Sequence, residues 1–96
     1  MEIQITSRHT KASQDLQETI TAEVSKLEKF SDKITSCHVV LDAENLDKKV
    51  EITMHLQGHQ VVGEAKADNL GKAIDDAIAK VGKQLKKLNE KEKSHK

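Results

Sequence analysis

The sequence predicts an α+β fold, a two-layer sandwich in which two helices pack on one face of a four-stranded sheet. Two segments repeat apolar residues at steps of three and four, the period of a helix, and four shorter segments have the alternation or composition of strands. In chain order these segments follow the pattern βαβββα. Two helices with one apolar stripe each are best buried side by side on a sheet. The length of 96 residues allows one domain.

The first strand and the first helix occupy the N-terminal third. Ile3 and Ile5 alternate with polar residues, as in a short strand with one buried face. Ser13 is a suitable N-cap for the helix, because its hydroxyl can accept a hydrogen bond from a backbone N–H of the first turn. One face of this helix is expected to pack, and that stripe consists of Leu16, Ile20, Val24, Leu27 and Phe30.

The middle of the chain predicts three strands. Residues 37–41 are rich in β-branched side chains and form the second strand, and the acidic residues 42–47 are expected to be the loop after it. Residues 50–57 alternate strictly and form the third strand. Gly58–His59 is the predicted turn into a fourth strand over residues 60–67. The pattern suits an antiparallel sheet with one face open to water or to a partner, carrying Glu51, Thr53 and His55.

The second helix is the longest predicted element. Asn69 can cap it, and its apolar stripe consists of Leu70, Ile74, Ala77, Ile78, Val81, Leu85 and Leu88. Residues 89–96 have no apolar position. We therefore expect a single domain over residues 1–88 and a short, fraying basic tail over residues 89–96.

The composition argues against several classes of protein. One Phe is the only aromatic residue, so the core must be aliphatic and base stacking on aromatic rings is nearly excluded. No apolar run approaches the roughly 20 residues of a membrane span, and the N-terminus does not resemble a secretory signal. We expect a cytoplasmic protein with no membrane partner.

No pattern in the chain indicates catalysis or metal binding. The five histidines include no helical i, i+4 pair, Cys37 is the only cysteine, and the four glycines form no phosphate-binding motif. The sequence therefore predicts no catalytic residue, no metal site and no cofactor. An enzyme that uses Cys37 and the histidines is kept as a third hypothesis.

The net charge is zero but unevenly distributed. From Lys80 onwards seven lysines stand against two glutamates, a net charge of +5, and the rest of the chain carries −5. Lysines one helical turn apart, about 5.4 Å, can follow a phosphate backbone. The predicted column consists of Lys80, Lys83, Lys87 and Lys91, with Lys86 beside it and with Lys26 and Lys29 extending it if the helices lie side by side. The alternative is a protein-interaction module that uses the open sheet face, in which the lysines only solvate the helix.

Four stretches together resemble the ribosome hibernation promoting factors, the family that includes ribosome-associated inhibitor A. They are Ile5–His9 (ITSRH), Lys26–Phe30 (KLEKF), His38–Leu41 (HVVL) and Ala73–Ile78 (AIDDAI), in the order of the family. The resemblance implies a fold like the double-stranded-RNA-binding domain. It also implies a non-enzymatic factor that binds the small ribosomal subunit at the decoding region and inhibits translation during stress or stationary phase.

The resemblance also implies partners and contact residues. The partners are the small ribosomal subunit and its rRNA, with no DNA, and the free chain is expected to be monomeric. The chain resembles the short form of the family. Three positions depart from the family pattern: Gly71 replaces an aromatic residue, Ala79 an aspartate and Lys83 an arginine. The implied rRNA contacts are Arg8, Lys26, Lys29, Lys80, Lys83 and Lys87.

Overall fold

The computed structural model describes the backbone of residues 1–93 and the side chains of residues 1–88. It confirms the α+β class and the order βαβββα, with both helices on one face of the sheet. No helix within the described residues is both long and apolar enough to cross a membrane. The elements are β1 (Glu2–Arg8), α1 (Gln14–Ser25), a 3-10 segment (Lys26–Phe30), β2 (Ile34–Glu44), β3 (Asp47–Leu56), β4 (His59–Ala67) and α2 (Leu70–Lys93).

The four strands lie in chain order across one mixed sheet. β2 pairs with β3 and β3 with β4 in antiparallel fashion, but β1 pairs with β2 in parallel. The prediction of an antiparallel sheet was therefore wrong for β1. A parallel neighbour needs a crossover connection, and α1 with the 3-10 segment provides it.

The acidic segment 42–47 is mostly strand, and its prediction as a loop was wrong. β2 continues to Glu44, β3 begins at Asp47, and these two residues face each other across the hairpin. Only Asn45 and Leu46 form the turn, with Asn45 in the left-handed region at φ 53°. The two strands extend each other's hydrogen-bond ladder, while Glu44 and Asp47 stay exposed at the tip.

The second hairpin turns one residue earlier than predicted. Gln57 and Gly58 form its turn, and His59 already belongs to β4. Gly58 has φ +79°, a conformation that glycine adopts without the steric cost of a Cβ atom.

Both predicted N-caps are confirmed. The Leu16 backbone N–H donates to Ser13 Oγ over 3.1 Å, and the Lys72 N–H donates to Asn69 Oδ1 over 2.8 Å. The first helix is α-helical only to Ser25 and then tightens into the 3-10 segment, a common way for a helix to end. α2 continues through Lys93, so the backbone of residues 89–93 is helical, whereas residues 94–96 of the predicted tail lie outside the described residues.

The core is aliphatic and lies between the sheet and the two helices. The molecule measures 49 × 21 × 18 Å, because the 24 residues of α2 extend for about 36 Å. The fully buried large side chains come from both helices and from the two central strands: Ile20, Val24, Val39, Leu41, Val50, Ile52, Met54, Val81 and Leu85.

Candidate nucleic-acid interface

The C-terminal ends of the two helices lie at the same end of the molecule. β1, β2 and β4 run in one direction, so the helix that follows β1 and the helix that follows β4 both run back the other way. The 3-10 segment packs on α2 at Gly82, where a Cβ atom would lie 3.6 Å from Leu27 Cδ2 and 3.9 Å from Phe30 Cε2. The lysines at the ends of both helices therefore share one end, which we call the basic end.

Three predicted lysines of α2 are exposed at the basic end. Lys83, Lys86 and Lys87 lie off the buried stripe, within little more than one helical turn of each other. Their Nζ atoms can reach successive phosphates of one backbone strand. The side chain of Lys91, the fourth member of the predicted column, lies outside the described residues.

Lys80 has a structural role that the sequence did not indicate. Its Nζ donates a hydrogen bond of 2.7 Å to the backbone carbonyl of Glu64 in β4. One turn later Gln84 Nε2 donates to the carbonyl of Val62, also over 2.7 Å. Both side chains cover the outer edge of β4. Lys80 therefore borders the lysine cluster but is already bonded within the fold.

The lysines of the first helix lie on the adjoining 3-10 segment. Lys26 Nζ is 3.1 Å from Glu23 Oε1, and Lys29 Nζ is 5.2 Å from the centroid of the Phe30 ring. An exposed ion pair contributes little free energy, so a phosphate can replace Glu23 as the partner of Lys26 at small cost.

Sequence reasoning missed Lys33. This residue follows the 3-10 segment and lines a small pocket at the basic end together with Phe30, His59 and Leu88. In the sequence, residues 31–33 indicated only the end of a helix. The short spacing from Lys29 to Lys33 could have indicated that Lys33 extends the group of lysines, but only the fold places both at the basic end.

Arg8 is not brought together with the helix lysines. It lies at the far end of β1 on the open face of the sheet, opposite Asp42 in the parallel register. The hairpin of β2 and β3 at that end carries Asp42, Glu44 and Asp47. Lys48 and Lys49 lie on the same hairpin, so this end of the molecule, which we call the hairpin end, carries both signs of charge in nearly equal number.

At the hairpin end, Asp42 is the group whose pKa is most clearly changed by its surroundings. His9 Nδ1 lies 3.0 Å from Asp42 Oδ1, and this hydrogen bond is the main reason that the pKa of Asp42 lies below its ordinary value. Partial desolvation opposes the shift, and the Ala43 N–H, which donates to the same oxygen over 2.8 Å, adds to it. The carboxylate is thus kept charged.

The open face of the sheet mixes both signs of charge. Lys49 Nζ lies 3.5 Å from Glu64 Oε1 on the neighbouring strand. Towards the other edge, Thr6 Oγ1 and His38 Nε2 are 2.8 Å apart. Such a surface offers no continuous positive potential to a polyanion, unlike the basic end.

Cys37, the cysteine on which the enzyme hypothesis rests, is buried and protonated. Cys37 is 1% exposed in the core, and burial raises its pKa to about 11, so it is a thiol at neutral pH. Among the described residues, no three His, Cys, Asp or Glu side chains are grouped so that they could hold a metal ion.

Residues 3–93 match the protein family described as Sigma 54 modulation protein / S30EA ribosomal protein. The chain is 34% identical over 94 residues to the ribosome hibernation promoting factor of Pseudomonas putida, an alignment that covers 98% of this chain and 92% of that protein. It is 33% identical over 95 residues to the protein of the same name from Escherichia coli K12, covering 99% of this chain and all of that protein.

Solved structures show the same fold. A ribosomal subunit interface protein from Coxiella burnetii superposes with a TM-score of 0.86 at 26% identity, covering 92% of this chain and 97% of the other. The N-terminal domain of Protein Y from Thermus thermophilus gives a TM-score of 0.84 at 23% identity, covering 92% and 99%, and is a likeness of fold alone.

Proposed function

Because this chain belongs to the Sigma 54 modulation protein / S30EA ribosomal protein family, whose members include the ribosome hibernation promoting factors, we propose that it silences ribosomes by occupying the small subunit. Its function is in ribosome hibernation, and the family is non-enzymatic. The resemblance inferred from the KLEKF and AIDDAI stretches is thereby confirmed. We expect the protein in the cytoplasm, where ribosomes work, during stress or stationary phase.

The observation that carries the proposal is the basic end. Exposed lysines of the 3-10 segment and of α2 lie at the same end of the molecule there, although the chain has no net charge. The opposite end carries acidic and basic side chains in nearly equal number, so it offers a polyanion no comparable positive surface. The proposed rRNA contacts are Lys26, Lys29, Lys83, Lys86 and Lys87, with Lys80 at their border.

The proposed mechanism is steric. A rigid body of 49 × 21 × 18 Å placed in the decoding region would fill space that mRNA and tRNA need. Occupancy needs no bond to be made or broken and no cofactor. Inhibition of cell-free translation should therefore be stoichiometric with ribosomes, and inhibition far below one copy per ribosome would contradict this mechanism.

Co-sedimentation with small ribosomal subunits tests the surface. The variant Lys83→Glu/Lys86→Glu/Lys87→Glu should lose binding, while Lys80 is left unchanged because it bonds to β4. A matched control makes the same change of charge at exposed lysines elsewhere, Lys11→Glu/Lys66→Glu/Lys72→Glu. Equal loss in both variants would show that only overall charge matters, and retained binding in the first would exclude the basic end.

Salt separates this proposal from the alternative partner, a protein on the open sheet face. Each phosphate contact lowers the logarithm of the affinity with a slope of about −0.7 to −0.9 per tenfold rise in salt. Because several lysines would each contact a phosphate, the affinity for the small subunit should fall steeply as the salt concentration rises. A shallow dependence of the affinity on salt, unchanged by the triple charge reversal, would favour the sheet face, where Lys49 already pairs with Glu64.

A further inference from the structure

The two outer edges of the sheet differ in protection. On β4, the carbonyls of Val62 and Glu64 accept hydrogen bonds from Gln84 and Lys80 of α2. On β1, no hydrogen bond from the described part of the chain reaches the outer backbone edge. β1 is seven residues long and has no proline, and its register with β2 is regular. Proteins usually block such an edge, because it can pair with another strand.

A groove of about 570 Å³ runs beside the open edge of β1. Ile3 and Ile5, both partly exposed, form its apolar floor. Gln14, Gln17 and Thr21 of α1 are among the residues of its wall. A strand added to β1 would extend the sheet under this groove and cover both isoleucines, which is the usual geometry of strand addition.

We propose that the added strand is β1 of a second copy, paired antiparallel about Ile5. In this register Glu2 faces Arg8 of the second copy, and the same pair recurs by symmetry at the other end. Gln4 faces Thr6 of the second copy, so polar side chains meet within hydrogen-bonding reach. Ile5 faces its own counterpart. Ile3 faces Ser7 of the second copy, so the strand EIQITSR is complementary to itself in its charged and polar pairs and at Ile5, but not at Ile3.

Other arrangements of the same strand are worse. Parallel pairing in register would place Glu2 against Glu2 and Arg8 against Arg8. A shift by one residue would bring side chains from opposite faces together and expose the isoleucines. A shift by two in one direction would bring Ile3 opposite Ile5 but would leave Arg8 without its opposite charge. A shift by two in the other direction would leave Glu2 without its opposite charge. The self-complementary register is the one that satisfies both the faces of the sheet and the charges.

The dimer would form one continuous eight-stranded sheet with all four helices on one side. The two-fold axis would stand perpendicular to the sheet at Ile5, so the two basic ends would point in opposite directions and stay exposed. One strand pair is a small interface, and the association should therefore be weak. The monomer expected from the sequence prevails in dilute solution, and the dimer forms as the concentration rises.

Sedimentation equilibrium of the full chain over a range of concentrations tests the proposal. Glu2→Arg alone and Arg8→Glu alone should each weaken association about tenfold, because both symmetry-related pairs are replaced by like charges. The double variant Glu2→Arg/Arg8→Glu should restore association to near the level of the unmodified chain. Exposed control positions, Glu44→Arg and Lys72→Glu, carry the same charge changes and should have no effect.

Three outcomes would overturn the proposal. A chain that remains monomeric up to millimolar concentration has no such interface. If neither single charge reversal changes the association constant, the dimer uses another surface. Weakening without rescue in the double variant excludes this register. Circular dichroism of each variant, compared with the unmodified chain, separates loss of pairing from loss of the fold.

Discussion

The β4–α2 side and the β1–α1 side of the molecule are built on the same sheet but are packed differently. α2 approaches β4 so closely that a Cβ atom at Gly63 would lie 2.6 Å from Val81 Cγ2 and 2.8 Å from the Ala77 carbonyl oxygen. α1 leaves a groove along Ile3 and Ile5. Close packing with edge bonds makes one side rigid and closed, whereas the looser side keeps a surface on which a partner can bind.

The strongest test of this comparison is Gly63→Ala. The new methyl group would overlap the backbone of α2 as well as a side chain, so the helix must move away from β4. Overpacking of this kind typically costs about 1–3 kcal/mol of unfolding free energy. Urea denaturation should show that loss.

Gly71→Ala is the matched control for Gly63→Ala. Gly71 lies in the exposed first turn of α2, and its nearest neighbour, Asn69 Oδ1, would be at an ordinary contact distance of 3.5 Å. Alanine there should leave stability unchanged or raise it by up to about 1 kcal/mol. If both variants lost the same unfolding free energy, the close approach of α2 to β4 would not be the cause of the loss at Gly63.

A smaller effect is expected when the closed edge of β4 is opened. Gln84→Ala removes the 2.7 Å hydrogen bond to the Val62 carbonyl, and because the site is exposed we expect a loss at the low end of about 0.5–1.5 kcal/mol. Lys83→Ala changes the neighbouring exposed position, of similar helix propensity, and should have almost no effect on the same urea midpoint. If the two variants proved equally stable, the edge bond would contribute nothing.

The smallest expected effect lies on the β1 side and depends on pH. The folded-state pKa of Asp42 is lowered below 3.8 chiefly by its hydrogen bond with His9. Its stabilising contribution is therefore present above that value and is lost as the pH falls through the folded pKa. Asp42→Asn should reduce the fall in stability between neutral pH and strongly acidic pH.

Asp47→Asn, at the tip of the same hairpin, removes the same charge away from the contact with His9. Thermal unfolding as a function of pH should therefore change less for this variant than for Asp42→Asn. Matching pH profiles for the two variants would show that net charge, and not the contact with His9, governs the acid response.

The elements most accurately predicted were those with local signals. Ser13 and Asn69 cap their helices as expected, because an N-cap depends only on a side chain and the backbone a few residues away. The centre of each predicted apolar stripe is buried, and the residues at its ends are partly buried against the core. The exposure of Lys83, Lys86 and Lys87 follows from the same period, since they occupy the other side of α2.

The errors concern features that require a partner from elsewhere in the chain. The acidic residues before Asp47 form strand because β2 and β3 pair there, against their weak propensity for strands. Lys80 was predicted only as a phosphate contact, but its bond to Glu64 depends on how α2 lies across β4. Arg8 belongs to the other end of the molecule, which its position before the first helix does not reveal.

The sequence by itself determined the number, type and order of the elements, the apolar face of each helix and the family, because periodicity, capping chemistry and motif order are properties of short stretches. Only the tertiary structure decided that β1 runs parallel to β2, that the ends of two helices form one basic end, and that one sheet edge is closed while the other is open. Those features arise where distant segments meet. The free energy of these contacts depends on how the two distant segments are placed relative to each other, and no local pattern of residues specifies that placement.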